Sequence, residues 1–190
     1  MSGTWLFGGD LIRRILVTAV LAGFVAAHSP RASQASSTTS LTASAYIEAS
    51  YDAVWERFTQ AEGYEEWYSS PCREFGSRPG ERVVWGNAER ILYRGTLERI
   101  EKGKGLVHTF QFVGFGFEEP PTPVEIDILE RGETVLVSIR HDCTEAPKTC
   151  DIISPVGWLK SLSRLKTLLE TGRVMPWPES PKSPKSVGSR

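Results

Sequence analysis

The chain lacks most of the features by which function classes are recognised. Charge of one sign is missing: 22 lysines and arginines against 23 aspartates and glutamates leave a net charge of −1. No global field therefore favours nucleic acid or an acidic membrane surface. Long apolar runs are scarce as well, since the segment Ile15–Ala27 holds 13 residues and a bilayer-spanning helix needs roughly 20. Three cysteines form no CxxC pair, and no HExxH motif accompanies them, so a metal reading of His141, Cys143 and Cys150 has spacing but no signature. A nucleophile elbow, a phosphate-cradling glycine loop and a clear acid/base carboxylate pair are also missing. These absences point away from the common catalytic classes, and no cofactor or metal is expected.

What remains suits one globular domain between two atypical ends, with 40% hydrophobic and 24% charged residues. Arg13 and Arg14 precede the apolar run, and Val25-Ala26-Ala27 or Ser33-Gln34-Ala35 offers small residues for cleavage. Residues 1–35 therefore read as a signal peptide or, if uncleaved, an N-terminal anchor, followed by a linker at 36–41. A genuine leader makes the protein periplasmic or extracellular; otherwise it is cytoplasmic. Residues 173–190, with the repeat Ser-Pro-Lys-Ser-Pro-Lys, read as a disordered tail. Cys143 and Cys150 flank a short loop and form a disulfide if the chain is exported; Cys72 is then the odd thiol.

Between the ends, periodicity predicts an ordered series of elements. A strand over Leu41–Glu48 leads to Ser50 as a helix cap, and Tyr51–Gln60 places Val54, Trp55 and Phe58 on one helical face. A second helical turn is expected at Tyr64–Tyr68. Strands follow at Arg82–Trp85, Leu92–Glu101, Leu106–Val113, Val124–Glu130 and Thr134–His141, broken by a loop at Gly114–Pro123. Alternation puts Leu106, His108, Phe110 and Phe112 on one face with Val124, Ile126, Ile128, Val135, Val137, Ile139 and His141. Last comes a long helix, with Ser154 as cap, Pro155 in the first turn and Gly172 just past the end. Its apolar stripe is Trp158, Leu162, Leu165 and Leu169, widened by Leu159 and Leu168, with Lys160, Arg164 and Lys166 opposite. This is an α+β layout, a curved antiparallel sheet wrapped on a long C-terminal helix with two short helices after the first strand.

The motifs in this order resemble a known family. Ile47-Glu48-Ala49 with Val54-Trp55, then Trp67, then Arg94-Gly95-Thr96-Leu97-Glu98-Arg99-Ile100 open the series. Val107-His108-Thr109-Phe110, Val124-Glu125-Ile126, Thr134-Val135-Leu136-Val137 and Gly157-Trp158 complete it. Residues 42–172 are thereby similar to the activators of heat-shock protein 90 ATPase, within the START-like superfamily also called SRPBCC, Bet v-like or helix-grip.

The resemblance implies a cavity between sheet and helix that accepts a small hydrophobic, amphiphilic or lipid-like molecule. Its candidate walls are Trp67, Trp85, Tyr93, His108, Phe110, Phe112, Ile126, Ile139, His141, Trp158 and Leu162. The expected role is a non-catalytic carrier or sequestering protein, without nucleic acid, and with membrane contact only through an uncleaved N-terminal segment. A cyclase- or hydratase-type enzyme using His108 or Tyr93 is the alternative, and a chaperone-associated interaction protein is a third reading that export would disfavour.

Overall fold

The structure, a computed structural model, describes residues 39–177. The expected leader at 1–35 and the tail beyond Trp177 lie outside the described residues. Strand β1 (Ser40–Ile47) already pairs Leu41 with His141, so the linker ends before residue 40 and not at 41. Helix α1 (Tyr51–Thr59) starts at Ser50, whose Oγ accepts the Ala53 N–H at 3.3 Å, the local bond expected of a serine cap. Val54 and Phe58 are buried beneath it, while Trp55 is turned partly outward against Tyr51, with ring centroids 6.0 Å apart. The second helical turn forms earlier than expected, as a 3-10 turn at Glu62–Tyr64.

Six further strands follow: β2 (Cys72–Phe75), β3 (Arg82–Gly86), β4 (Ile91–Glu101), β5 (Gly105–Phe112), β6 (Thr122–Arg131) and β7 (Thr134–Asp142). They form one antiparallel seven-stranded sheet in the order β1-β7-β6-β5-β4-β3-β2. The four-residue edge strand β2 has no counterpart in the sequence reading; it is short, and its register on β3 is irregular between Cys72 and Glu74. The period-two alternation holds elsewhere: Leu106, His108, Phe110, Val124, Ile126, Ile128, Val135, Val137, Ile139 and His141 are all buried.

The final helix α2 (Pro147–Thr171) departs from the sequence reading at its start. It begins at Pro147, inside the expected cysteine loop, and Ser154 is a kink (φ 57°, ψ 161°) between two helical segments. Cys143, just after β7, and Cys150, in the first segment, are joined as a disulfide with Cα atoms 5.8 Å apart. Ala146 gives the helix no side-chain cap. Glu119 caps it from the β5–β6 loop instead, accepting the backbone N–H groups of Lys148 (2.9 Å) and Thr149 (2.8 Å) and the Thr149 hydroxyl (2.9 Å). At the other end Gly172 adopts φ 68° and donates its N–H to Leu168 O at 2.8 Å, a left-handed cap that glycine takes without a Cβ penalty.

Trp158, Leu162, Leu165 and Leu168 bury the helix against the sheet. Full burial of each leucine is worth about 1.5–3 kcal/mol. Leu159 is exposed and does not widen the stripe, because it lies one residue, hence about 100°, round the helix from Trp158. Arg164 is not a free outer-face charge: it donates from Nε to Trp67 O and from Nη2 to Glu66 O, each at 2.9 Å.

Candidate functional site

Where α2 rises away from β4 and β5, a cavity of about 260 Å³ opens between them. Strand β4 contributes Tyr93, and β5 contributes Phe110 and Phe112 from the face that alternation assigned inward. The segment before β2 adds Tyr68 and Ser69, and the β5–β6 loop adds Phe115. From α2 come Ile152 and Ile153 ahead of the Ser154 kink, then Gly157, Trp158 and Ser161 beyond it. Trp177 closes the set. A Cβ at Gly157 would stand 2.9 Å from the Ile153 side chain, so the missing side chain lets the two helical segments meet at the cavity without a clash.

Its walls are mostly aromatic. Tyr93 stacks on Phe110 with centroids 4.9 Å apart, Phe112 meets Phe110 edge-on at 5.0 Å, and Phe115 leans on Phe112 at 4.6 Å. Charges hold the loop and C-terminal parts of the wall from outside it. Arg90 lies 5.2 Å from the centre of the Phe115 ring and donates to Gly114 O at 2.7 Å. Arg164 bonds Met175 O and sits 5.5 Å from the Trp177 ring, bringing residues 173–177, expected to belong to a disordered tail, back onto α2.

Polar side chains in the lining are few: Tyr68, Ser69, Tyr93 and Ser161. The Tyr93 and Ser69 hydroxyls are 3.1 Å apart. Burial pushes the Tyr93 phenol up to about 12 against the hydroxyl bonds that lower it, so it is a neutral donor and acceptor. Behind the wall, burial holds His108 down to about 4 and His141 down to about 3, and both rings are neutral at pH 7.

Of the expected wall residues, Tyr93, Phe110, Phe112 and Trp158 line the cavity. Trp67, Trp85, His108, Ile126, Ile139, His141 and Leu162 do not; they are core residues packed behind it. Trp67, Trp85 and Tyr64 form a contiguous aromatic block, and His108 rests on Trp85 at 5.3 Å while its Nδ1–H donates to Thr109 O at 2.8 Å. The physical reason is depth: strand parity separates faces, but all inward residues share a face whether they meet the helix or the gap beside it. Tyr68, Ser69, Phe115, Ile152, Ile153, Gly157, Ser161 and Trp177 line the cavity without having been assigned to it. The paired isoleucines directly before the expected cap at Ser154 and an isolated tryptophan in a proline-rich end are the available signals. Among the described residues no group of three or more metal-ligating side chains assembles, and the disulfide removes the thiolates that a His141, Cys143, Cys150 site would need.

A curved antiparallel sheet closed by a long C-terminal helix, with an aromatic cavity between them, defines a START-like helix-grip protein. Residues 48–170 match the family described as activator of Hsp90 ATPase homolog 1-like protein, and the chain belongs to that family. Its fold commonly binds hydrophobic ligands. Comparison with curated proteins finds no match. Among solved structures, the chain is similar to CalU16 from Micromonospora echinospora (20% identity, TM-score 0.56, 70% of this chain and 77% of that one). It is similar to DynU16, a protein of the dynemicin biosynthetic locus (20%, 0.58, covering 72% of this chain and 49% of that one). The Aha1 dimer from Colwellia psychrerythraea is a third (16%, 0.57, 70% and 98%). At these identities the likeness is one of fold.

Proposed function

We propose that the protein binds a small, largely apolar molecule of one or two rings in the cavity between α2 and strands β4 and β5, and carries or sequesters it without turnover. The observation that carries this reading is the cavity itself: aromatic on most sides, with few hydroxyls, among them the bonded Tyr93–Ser69 pair. Its 260 Å³ exceeds the roughly 150 Å³ that suffices for benzene, which sets the size of the cargo. Apolar burial at roughly 25 cal/mol per Å² supplies the affinity, and a single hydroxyl or carbonyl on the ligand is oriented by Tyr93 and Ser69. The occurrence of this fold in a biosynthetic locus, that of dynemicin, is consistent with a small-molecule cargo.

The lining favours binding over catalysis. The neutral Tyr93 phenol is a hydrogen-bonding group with a pKa far from the operating pH of an efficient general acid or base. The cyclase or hydratase alternative then rests on Tyr93 alone, since His108 faces the core.

Titration of 2-naphthol, followed by its own fluorescence, tests the reading. Phe112→Ala should weaken binding at least five-fold, while Ser138→Ala, on the outer face of β7 beside Ser44, should leave it unchanged. Equal affinity in all three proteins, or no saturable binding by the wild type, would remove the cavity as the site.

A further inference from the structure

His141 is fully buried and does not line this cavity, yet it touches two of its walls. The Trp158 indole N–H donates to His141 Nδ1 at 3.3 Å, and His141 Nε2 lies 2.7 Å from Thr122 Oγ1. The Thr122 hydroxyl in turn reaches Phe110 O at 3.2 Å. The chemistry of the two ends fixes every proton in this chain. An indole nitrogen only donates and a carbonyl only accepts, so Thr122 donates to Phe110, His141 donates from Nε2 to Thr122, and Nδ1 is the bare acceptor of Trp158. His141 is thus a neutral Nε2–H tautomer with both ring nitrogens used, and the Phe110 ring packs against it at 5.3 Å.

We infer that His141 is a specificity-determining residue that acts through Trp158. Resting on the binding role proposed above, it consumes the only polar atom of the Trp158 side chain, so that the indole presents carbon alone to the cavity. Hydrogen-bonding ligand atoms are then directed to the hydroxyls of the lining, the bonded Tyr93–Ser69 pair among them. The chain from α2 through β7 and β6 to β5 makes the bond independent of the ligand, and the selectivity is built in before binding.

Naphthalene and quinoline, which share a shape but differ by one ring acceptor, test this by calorimetry at neutral pH. In His141→Leu the freed indole N–H can turn to the cavity, and the quinoline-over-naphthalene ratio should rise by about 2- to 12-fold, the equivalent of one neutral hydrogen bond. His141→Gln, which keeps an acceptor, should hold the wild-type ratio. Trp158→Phe should weaken both probes alike with the ratio preserved, and adding His141→Leu to it should produce no further shift. An unchanged ratio in His141→Leu, or a loss of quinoline preference in Trp158→Phe alone, overturns the inference. Exchange of the Trp158 indole proton, read by NMR without ligand, decides the bond itself: slow in the wild type, at least ten-fold faster in His141→Leu. Should neither probe bind the wild type, the cavity reading fails, while the indole exchange still reports on His141.

Discussion

Glu119→Ala probes the contact that joins the cavity's loop wall to its helical wall. The substitution strips the acceptor from two backbone N–H groups and one hydroxyl at the start of α2, at 2.8–2.9 Å. A lost helix cap costs about 0.5–2 kcal/mol, and because Thr149 is buried, its N–H has no easy recourse to water, which places the cost near the upper end. The expected loss is about 2 kcal/mol, or roughly 4–8 °C in Tm for a domain of this size. The pH dependence supplies an independent check. Desolvation pushes the Glu119 pKa up, but its bonds to Lys148 and Thr149 outweigh this and hold it below the ordinary value. A carboxylate with a depressed folded pKa stabilises fully above its unfolded value of about 4.3, and that stability drains away as pH falls through the folded pKa. Urea unfolding at pH 7 should therefore separate wild type from Glu119→Gln, and the gap should close on acidification below about pH 4. A Glu119→Ala protein within 0.3 kcal/mol of wild type at pH 7, or a gap that ignores pH, would refute the capping argument.

Three further outcomes follow from the same geometry. Joint replacement of Cys143 and Cys150 by serine opens a loop of sequence separation 7 and should cost about 2.5 kcal/mol in urea unfolding of the oxidised protein; no difference between oxidised and reduced wild type would count against it. His108 and His141 have folded pKa values near 4 and 3, below the unfolded 6.5, so the unfolded state takes up protons first. Stability should be flat above about pH 6.5 and fall as pH drops from there toward 4, by up to about 1.4 kcal/mol per pH unit for each ring, a slope absent from a His108→Gln, His141→Gln double variant. Tyr93→Phe, which removes the hydroxyl bonded to Ser69, should lower affinity for 2-naphthol by about 2- to 12-fold with little change for naphthalene; equal effects on both would place the ligand's oxygen elsewhere.

Much of the architecture was legible because it is local. Ser50 and Gly172 mark helix ends through bonds to residues within four positions, and alternation in β5, β6 and β7 sorts inward from outward side chains two residues at a time. The start of α2 was not legible, since its cap comes from Glu119, some thirty positions upstream. Nor was the division of the inward face into cavity and core. Phe110 and Ile126 obey the same parity, yet only Phe110 borders the gap.

The pattern of apolar residues alone determined that a sheet would wrap this helix, because burial on one face requires only a period and a partner surface. Tertiary structure alone decided where the two fail to meet. The kink at Ser154, the Glu119 cap, the fold-back of Trp177 onto Arg164 and the Trp158–His141 bond each depend on groups distant in the chain but adjacent in space. A cavity is a mismatch between two surfaces, and no stretch of sequence contains both of them.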